Sequence, residues 1–370
     1  MKNIICLLLT GAALWAQTPA PESFDDLARA AEAVLDSDPA RAAVLYQKAL
    51  ALRPAWPEGL FYFGGALYRL GRFQDSLDAF QKGAQLSPNN GPAWAFQGLC
   101  EYELDHFEKA LTAIGKGEQL GLGSNAAFES VVRQRAALIL IRASLFDKAI
   151  AQLQPLAKLH DNSPAVVEAV GLCALAIAQM PSELSPARRA VVDMAGQALW
   201  AATSQRAQDA AEAFGQLLKT YPNEPGVHYA YGLFLMEADQ AAALAEFQKE
   251  IAANPKHWPS LLVSAFLETR QGTPKLAMRS AEQASHLVAP AYRWLCDAEM
   301  GRALLSMDQP AKAIPLFEES VRLEPDNAQT HFYLEQAYRL VGRKSDAQKE
   351  KAEFVRLKAQ QDPKSLPGNK

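Results

Sequence analysis

Between Pro57 and Asn90 the apolar positions fall into two helical stripes. Leu60, Phe63, Gly64 and Leu67 recur at three- and four-residue spacing, which puts them on one face of a helix. Gly71 closes that helix, because glycine enters the left-handed conformation of a helix C-terminus without steric cost. From Phe73 a second stripe runs through Ser76, Leu77, Phe80, Gly83 and Leu86, and Pro88-Asn89-Asn90 stops it. Two apolar faces joined by a short turn predict a pair of helices packed on each other.

The same pattern returns along the chain. Ala42, Ser76, Ala110, Ala149, Ala210, Ala243, Ala277, Ala313 and Ala347 stand 34, 34, 39, 61, 33, 34, 36 and 34 residues apart, by subtraction. A beat near 34 marks repeated helix–turn–helix units, which bury their faces only by stacking on one another. Gly64, Gly98, Gly171, Gly232 and Gly301 hold equivalent first-helix places. A mid-helix glycine costs about 1 kcal/mol against alanine, so its return in register points to a close helix approach. Tyr46, Phe80, Ile114, Phe214, Phe247 and Phe317 are the large apolar knob of the second helices, and Pro54, Pro88, Pro222, Pro255 and Pro325 end units.

This arrangement resembles the tetratricopeptide repeat (TPR), whose pattern sets a large residue, Leu-Gly, Tyr, Ala, Phe, Ala and Pro at fixed places. The resemblance implies an all-α TPR solenoid, a right-handed superhelix of antiparallel helix pairs. Nine units are read at 23–56, 57–90, 91–123, 127–160, 189–222, 223–255, 256–290, 292–325 and 326–359. Glu335, Lys351 and Ala281 depart from the pattern, and the charged second helix of the last unit reads as a solvated cap. The 61-residue step is irregular: a helix over Pro164–Met180 is followed by Pro181-Ser182-Glu183-Leu184-Ser185-Pro186. It reads as an unpaired helix or truncated unit. The expected organisation is thus a four-unit block at 23–160, an irregular helix and linker at 161–188, a five-unit block at 189–359, and a disordered tail at 360–370.

The first sixteen residues change the picture of location. Met1-Lys2-Asn3 is a short positive start, an apolar run follows through Leu14, and Ala16 is a small residue before Gln17. That run is too short to span a bilayer and reads as an export signal cleaved after Ala16, giving a periplasmic or extracellular protein with no membrane span after cleavage. Cleavage leaves Cys100, Cys173 and Cys296, an odd and widely spaced set that does not suit a disulfide framework. Of the 370 residues 49% are hydrophobic and 21% charged, enough apolar material to order nearly all of them. A net charge of −4 without a basic stripe argues against nucleic acid as a partner.

Candidate chemistry is sparse. His228 and His331 fall at large-residue positions of first helices, and no histidine pair shows zinc-helix spacing. Gly121-Leu122-Gly123-Ser124-Asn125 follows a helix rather than a strand, so it reads as a turn in which Ser124 or Asn125 caps the next helix. No cofactor or metal is expected, and no stretch is left for a catalytic domain. The TPR resemblance implies a non-enzymatic scaffold that holds a peptide segment or partner protein against its first helices. Carried onto this chain, the family's inward positions give Phe61, Tyr68, Arg69, Tyr102, Arg142, Tyr229, Phe266, Arg270, Phe332 and Arg339 as candidate partner-binding residues. The Lys and Asn by which chaperone-binding members grip a terminal carboxylate are replaced here by Phe61, Gly65, Ala95 and Leu99. The same side chains could instead pack the seams between units. An architectural subunit of an envelope assembly, recruited through its ends or convex face, is the alternative reading.

Overall fold

A computed structural model of the chain describes residues 23–361. The leader expected at 1–16, with Cys6, and the tail from 362 onward lie outside the described residues. Every regular element described is helical. The chain falls into two compact units divided between Phe128 and Glu129.

The first unit contains α1 (Phe24–Val34), α2 (Pro39–Leu52), α3 (Pro57–Arg69), α4 (Phe73–Leu86), α5 (Gly91–Glu103), α6 (Phe107–Leu120) and the start of α7 (Ala126–Arg142). The second holds the rest of α7, then α8 (Phe146–Lys158), α9 (Pro164–Ala174), α10 (Pro186–Thr203), α11 (Ala207–Thr220), α12 (Val227–Leu235) and α13 (Gln240–Ala253). It continues with α14 (Trp258–Arg270), α15 (Pro274–Ser285), α16 (Arg293–Ser306), α17 (Pro310–Leu323), α18 (Ala328–Leu340) and α19 (Lys344–Gln361). Helix α19 therefore occupies the first two positions of the expected tail.

The repeated glycines do what their register predicts. A Cβ on Gly64 would come within 2.9 Å of the Phe80 ring, on Gly98 within 2.6 Å of Ile114, on Gly232 within 2.6 Å of Phe247, and on Gly301 within 2.7 Å of Phe317. Each knob is thus seated against a bare stretch of backbone and fully buried, a contribution of about 1.5–3 kcal/mol apiece. In α14–α15 the pair is Ala265 and Ala281, both fully buried in one cluster, so a larger glycine substitute faces a smaller knob. Ser76, the one hydroxyl in the alanine series, is buried and donates to the Gly64 carbonyl at 2.8 Å.

The turns also repeat. At the end of α3 the Arg72 N–H donates to the Leu67 carbonyl around Gly71, whose φ is +70°. Asp105, Ser144, Gln205 and Asp308 take the left-handed place in the corresponding turns, each followed by the same backbone hydrogen bond. Proline-led turns enter several first helices, and there Asn90 and Asn327 cap α5 and α18 by accepting from the Ala93 and Thr330 N–H groups. Asn125 accepts from the Phe128 N–H at the start of α7, as one of the two expected capping residues.

The irregular step needs a correction. Helix α9 is not unpaired: it packs on α10, which also pairs with α11. A Cβ on Gly171 would lie 2.0 Å from the Val192 carbonyl oxygen, and one on Gly196 would lie 2.1 Å from that of Val167. Two helices meeting on facing glycines come closer than a knob would allow, so α10 takes the place of the missing second helix. Helix α9 ends in the same left-handed turn as the other first helices, at Ala176. The connection from there to α10 is held by Glu183, which accepts from the Met180 N–H, and by Arg189, which donates to the Pro181 carbonyl and pairs with Glu168.

Candidate functional site

The second unit carries a groove along α12, α14, α16 and α18. Two clefts make it, of about 400 Å³ and about 500 Å³, and they share Phe266, Leu295 and Glu299. The first is bounded by Tyr229, Trp258, Phe266 and Tyr292 together with Phe146 and Asp147 from the start of α8. The second runs over Arg270, Trp294, Arg302, Asn327, Gln329 and Tyr333.

What closes the first cleft is a contact across 145 positions of sequence. The Tyr292 hydroxyl donates to Asp147 Oδ1 at 2.5 Å, and the Phe146 ring stacks on Trp258 at 6.4 Å between centroids. Trp258 in turn lies 4.9 Å from Tyr292. Burial, and the neighbouring Asp147 carboxylate, push the Tyr292 phenol well above its ordinary range, so it stays a hydrogen-bond donor. Behind the cleft, Tyr229 packs edge-on against His257 at 4.9 Å. Burial pushes the His257 imidazole down to about 4, which leaves it neutral near pH 7.

The second cleft is built around one ion pair. Arg302 reaches both oxygens of Glu299 at 2.7 Å, and its guanidinium lies 4.8 Å from the Phe266 centroid and 5.2 Å from that of Tyr333. Arg270 sits over Phe266 as well, at 5.6 Å. Burial raises the Glu299 carboxyl although Arg302 pulls it the other way. The pair is nearly dry, and the two rings beside the guanidinium add cation–π attraction to the ion pair.

Of the ten residues suggested by the repeat register, Tyr229, Phe266 and Arg270 line this groove. Phe332 is exposed beside it in sequence, with its ring against Tyr333 and Phe354, and Arg339 is exposed and faces Glu335 at 3.6 Å. Arg142 pairs with Glu183 at 3.3 Å, on the turn that leads to α10. In the first unit, Phe61 packs edge-on against Phe80 and Phe96, and Tyr68 against Phe73 and Phe96, with its hydroxyl 3.4 Å from Glu103. Arg69 donates to the Leu35 carbonyl and to Asp36, both at 2.8 Å, and Tyr102 lies 6.0 Å from Phe107. Phe61, Tyr68 and Arg69 therefore spend much of their surface on joins between helix pairs.

The sequence register missed Phe146, Asp147, Trp258, Tyr292, Glu299, Arg302 and Tyr333. Phe146 and Asp147 begin a second helix, outside the positions that face inward in a regular repeat. The two histidines at large-residue positions of first helices are partly or fully buried, and both are bracketed by acceptors. His228 has Glu246 at 2.6 Å and the Pro222 carbonyl at 3.1 Å, and His331 has Glu350 at 2.5 Å and the Pro325 carbonyl at 2.9 Å. The hydrogen bond to Glu350 holds His331 above its usual range. Cys100, Cys173 and Cys296 are free and buried, and desolvation lifts the thiols of Cys100 to about 11 and Cys296 to about 12. Among the described residues no cluster of three metal-ligating side chains occurs, and no helix is long and apolar enough to cross a membrane.

Residues 57–90 match the tetratricopeptide repeat family. The chain carries a tetratricopeptide repeat there, and its other helix pairs follow one another in the same helix–turn–helix form. Solved structures similar to it include a MamA double mutant, RS-1, at 22% identity over 46% of this chain and 98% of that one, with a TM-score of 0.39. Another MamA structure is 16% identical over 49% of this chain and 98% of its own, with a TM-score of 0.41. PilF of Pseudomonas aeruginosa is 18% identical over 49% of this chain and 78% of its own, with a TM-score of 0.42. A comparison with curated proteins finds no match.

Proposed function

We propose that this tetratricopeptide-repeat chain holds a segment of a partner protein in the groove of its second unit, without chemistry of its own. The carrying observation is the continuous run from Tyr229 through Phe266 to Tyr333, apolar and aromatic with a dry ion pair at its middle. Aromatic and arginine side chains dominate binding hot spots because they offer large rigid contact area with a polar edge. With the leader expected at 1–16, the proposed capture takes place outside the cytoplasm.

A photo-crosslinking residue in place of Phe266, compared with one in place of the exposed Leu276 on α15, tests the reading in cells. Capture from 266 and not from 276 is expected, with the purified chain having the mass of one that starts at Gln17. Capture from 276 alone would put the partner on the outer helices. That is the architectural alternative, and Leu340, Val341 and Val355, apolar and exposed on the last two helices and the turn between them, favour it over other surfaces if the groove fails.

A further inference from the structure

The first cleft has a charge character that the second lacks. Its lining contains two carboxylates, Asp147 and Glu299, and no lysine, arginine or histidine. Glu299 is already matched by Arg302. Asp147 is exposed at the cleft, accepts only the neutral Tyr292 hydroxyl, and has no cationic partner among the described residues. Beside it stand the rings of Phe146, Trp258 and Tyr292, whose π-faces attract cations.

The second cleft shows what such rings do in this protein. There Phe266 and Tyr333 carry the guanidinium of Arg302, and a carboxylate, Glu299, completes its surroundings. The first cleft repeats the two halves of that arrangement, aromatic walls and an acid, without the cation. Its volume of about 400 Å³ takes a long unbranched side chain with room for flanking residues.

We infer that the cleft between α8, α14 and α16 receives a lysine or arginine side chain of the captured segment, seated on Trp258 and Tyr292 and paired with Asp147. This rests on the groove reading above and adds the chemistry of the anchor. The apolar residues Met236, Leu262 and Val263 would then contact the stem of the side chain and its apolar neighbours, while Asp147 and the rings hold its head.

Random peptides displayed against the purified protein test it. Enriched peptides are expected to share one basic residue flanked by apolar ones. A synthetic winner should lose affinity by about tenfold when that residue becomes norleucine, the size of one cation–π and ion-pair contact combined. Asp147→Asn keeps an oxygen for the Tyr292 hydroxyl and removes the charge. It should weaken the basic peptide by a similar factor and leave the norleucine peptide unchanged, with the melting curve of the variant as the folding control. Enriched peptides that lack a cation yet lose binding on Phe266→Ala would overturn the anchor and keep the groove. No enrichment, or binding indifferent to both substitutions, would overturn both.

Discussion

Gly64 and Gly65 are neighbours on α3, and the space beyond them differs completely. A methyl at 64 would press to 2.9 Å on the fully buried Phe80 ring, itself stacked on Phe96 at 4.9 Å, whereas one at 65 meets nothing within 4 Å. Gly64→Ala should therefore destabilise the protein by about 1–3 kcal/mol, the usual penalty for overpacking a core. Gly65→Ala should stabilise it by up to about 1 kcal/mol, because alanine loses less backbone entropy in a helix. Urea midpoints at unchanged slope measure both. Shifts of the same sign in the two variants would contradict the close-approach explanation of the repeated glycine. That explanation was legible in the sequence because a glycine returning in register has few other physical reasons.

Helix α14 departs from its siblings at its N-terminus and is still capped. Its entry follows Pro255-Lys256, and His257 stands where Asn90 and Asn327 cap the equivalent helices. The ring nitrogen Nδ1 takes the capping role toward the Ser260 N–H at 3.3 Å, and burial keeps the ring neutral. The imidazole titrates near its ordinary 6.5 in the unfolded chain and near 4 when folded. Its depressed value means the unfolded state binds the proton first as pH falls. Stability is therefore lost from about pH 6.5 downward, by about 2 kcal/mol at pH 5. His257→Asn keeps a capping acceptor and removes the titration, so its melting temperature should fall less between pH 7 and pH 5 than that of the unsubstituted chain. Parallel pH profiles would contradict this role. His331 works with the opposite sign: its raised value adds stability below about 6.5 that is lost as pH climbs through the folded value. Helix α9 illustrates where the sequence stopped being readable. Gly171 announced a close neighbour, but a partner beginning twelve residues after α9 ends, and shared with α11, leaves no 34-residue signature.

On the scale of the molecule, the proposed groove joins positions that follow the repeat to a contact that does not. The regular part of the groove, Tyr229, Phe266 and Arg270, could be placed from register alone. The part that turns it into a cleft could not, because Asp147 and Tyr292 meet across 145 positions and neither sits at an inward-facing place. Such a contact depends on how the helices from α8 to α16 stack, which local periodicity does not encode. The most direct measurement is hydrogen exchange on the protein alone and saturated with the partner segment recovered by crosslinking. Binding in the groove should slow exchange across α14, α16 and α18 and at the start of α8, and leave α15 and α17 as they were. Protection confined to α15, α17 and α19 would contradict groove capture and move the partner to the outer helices.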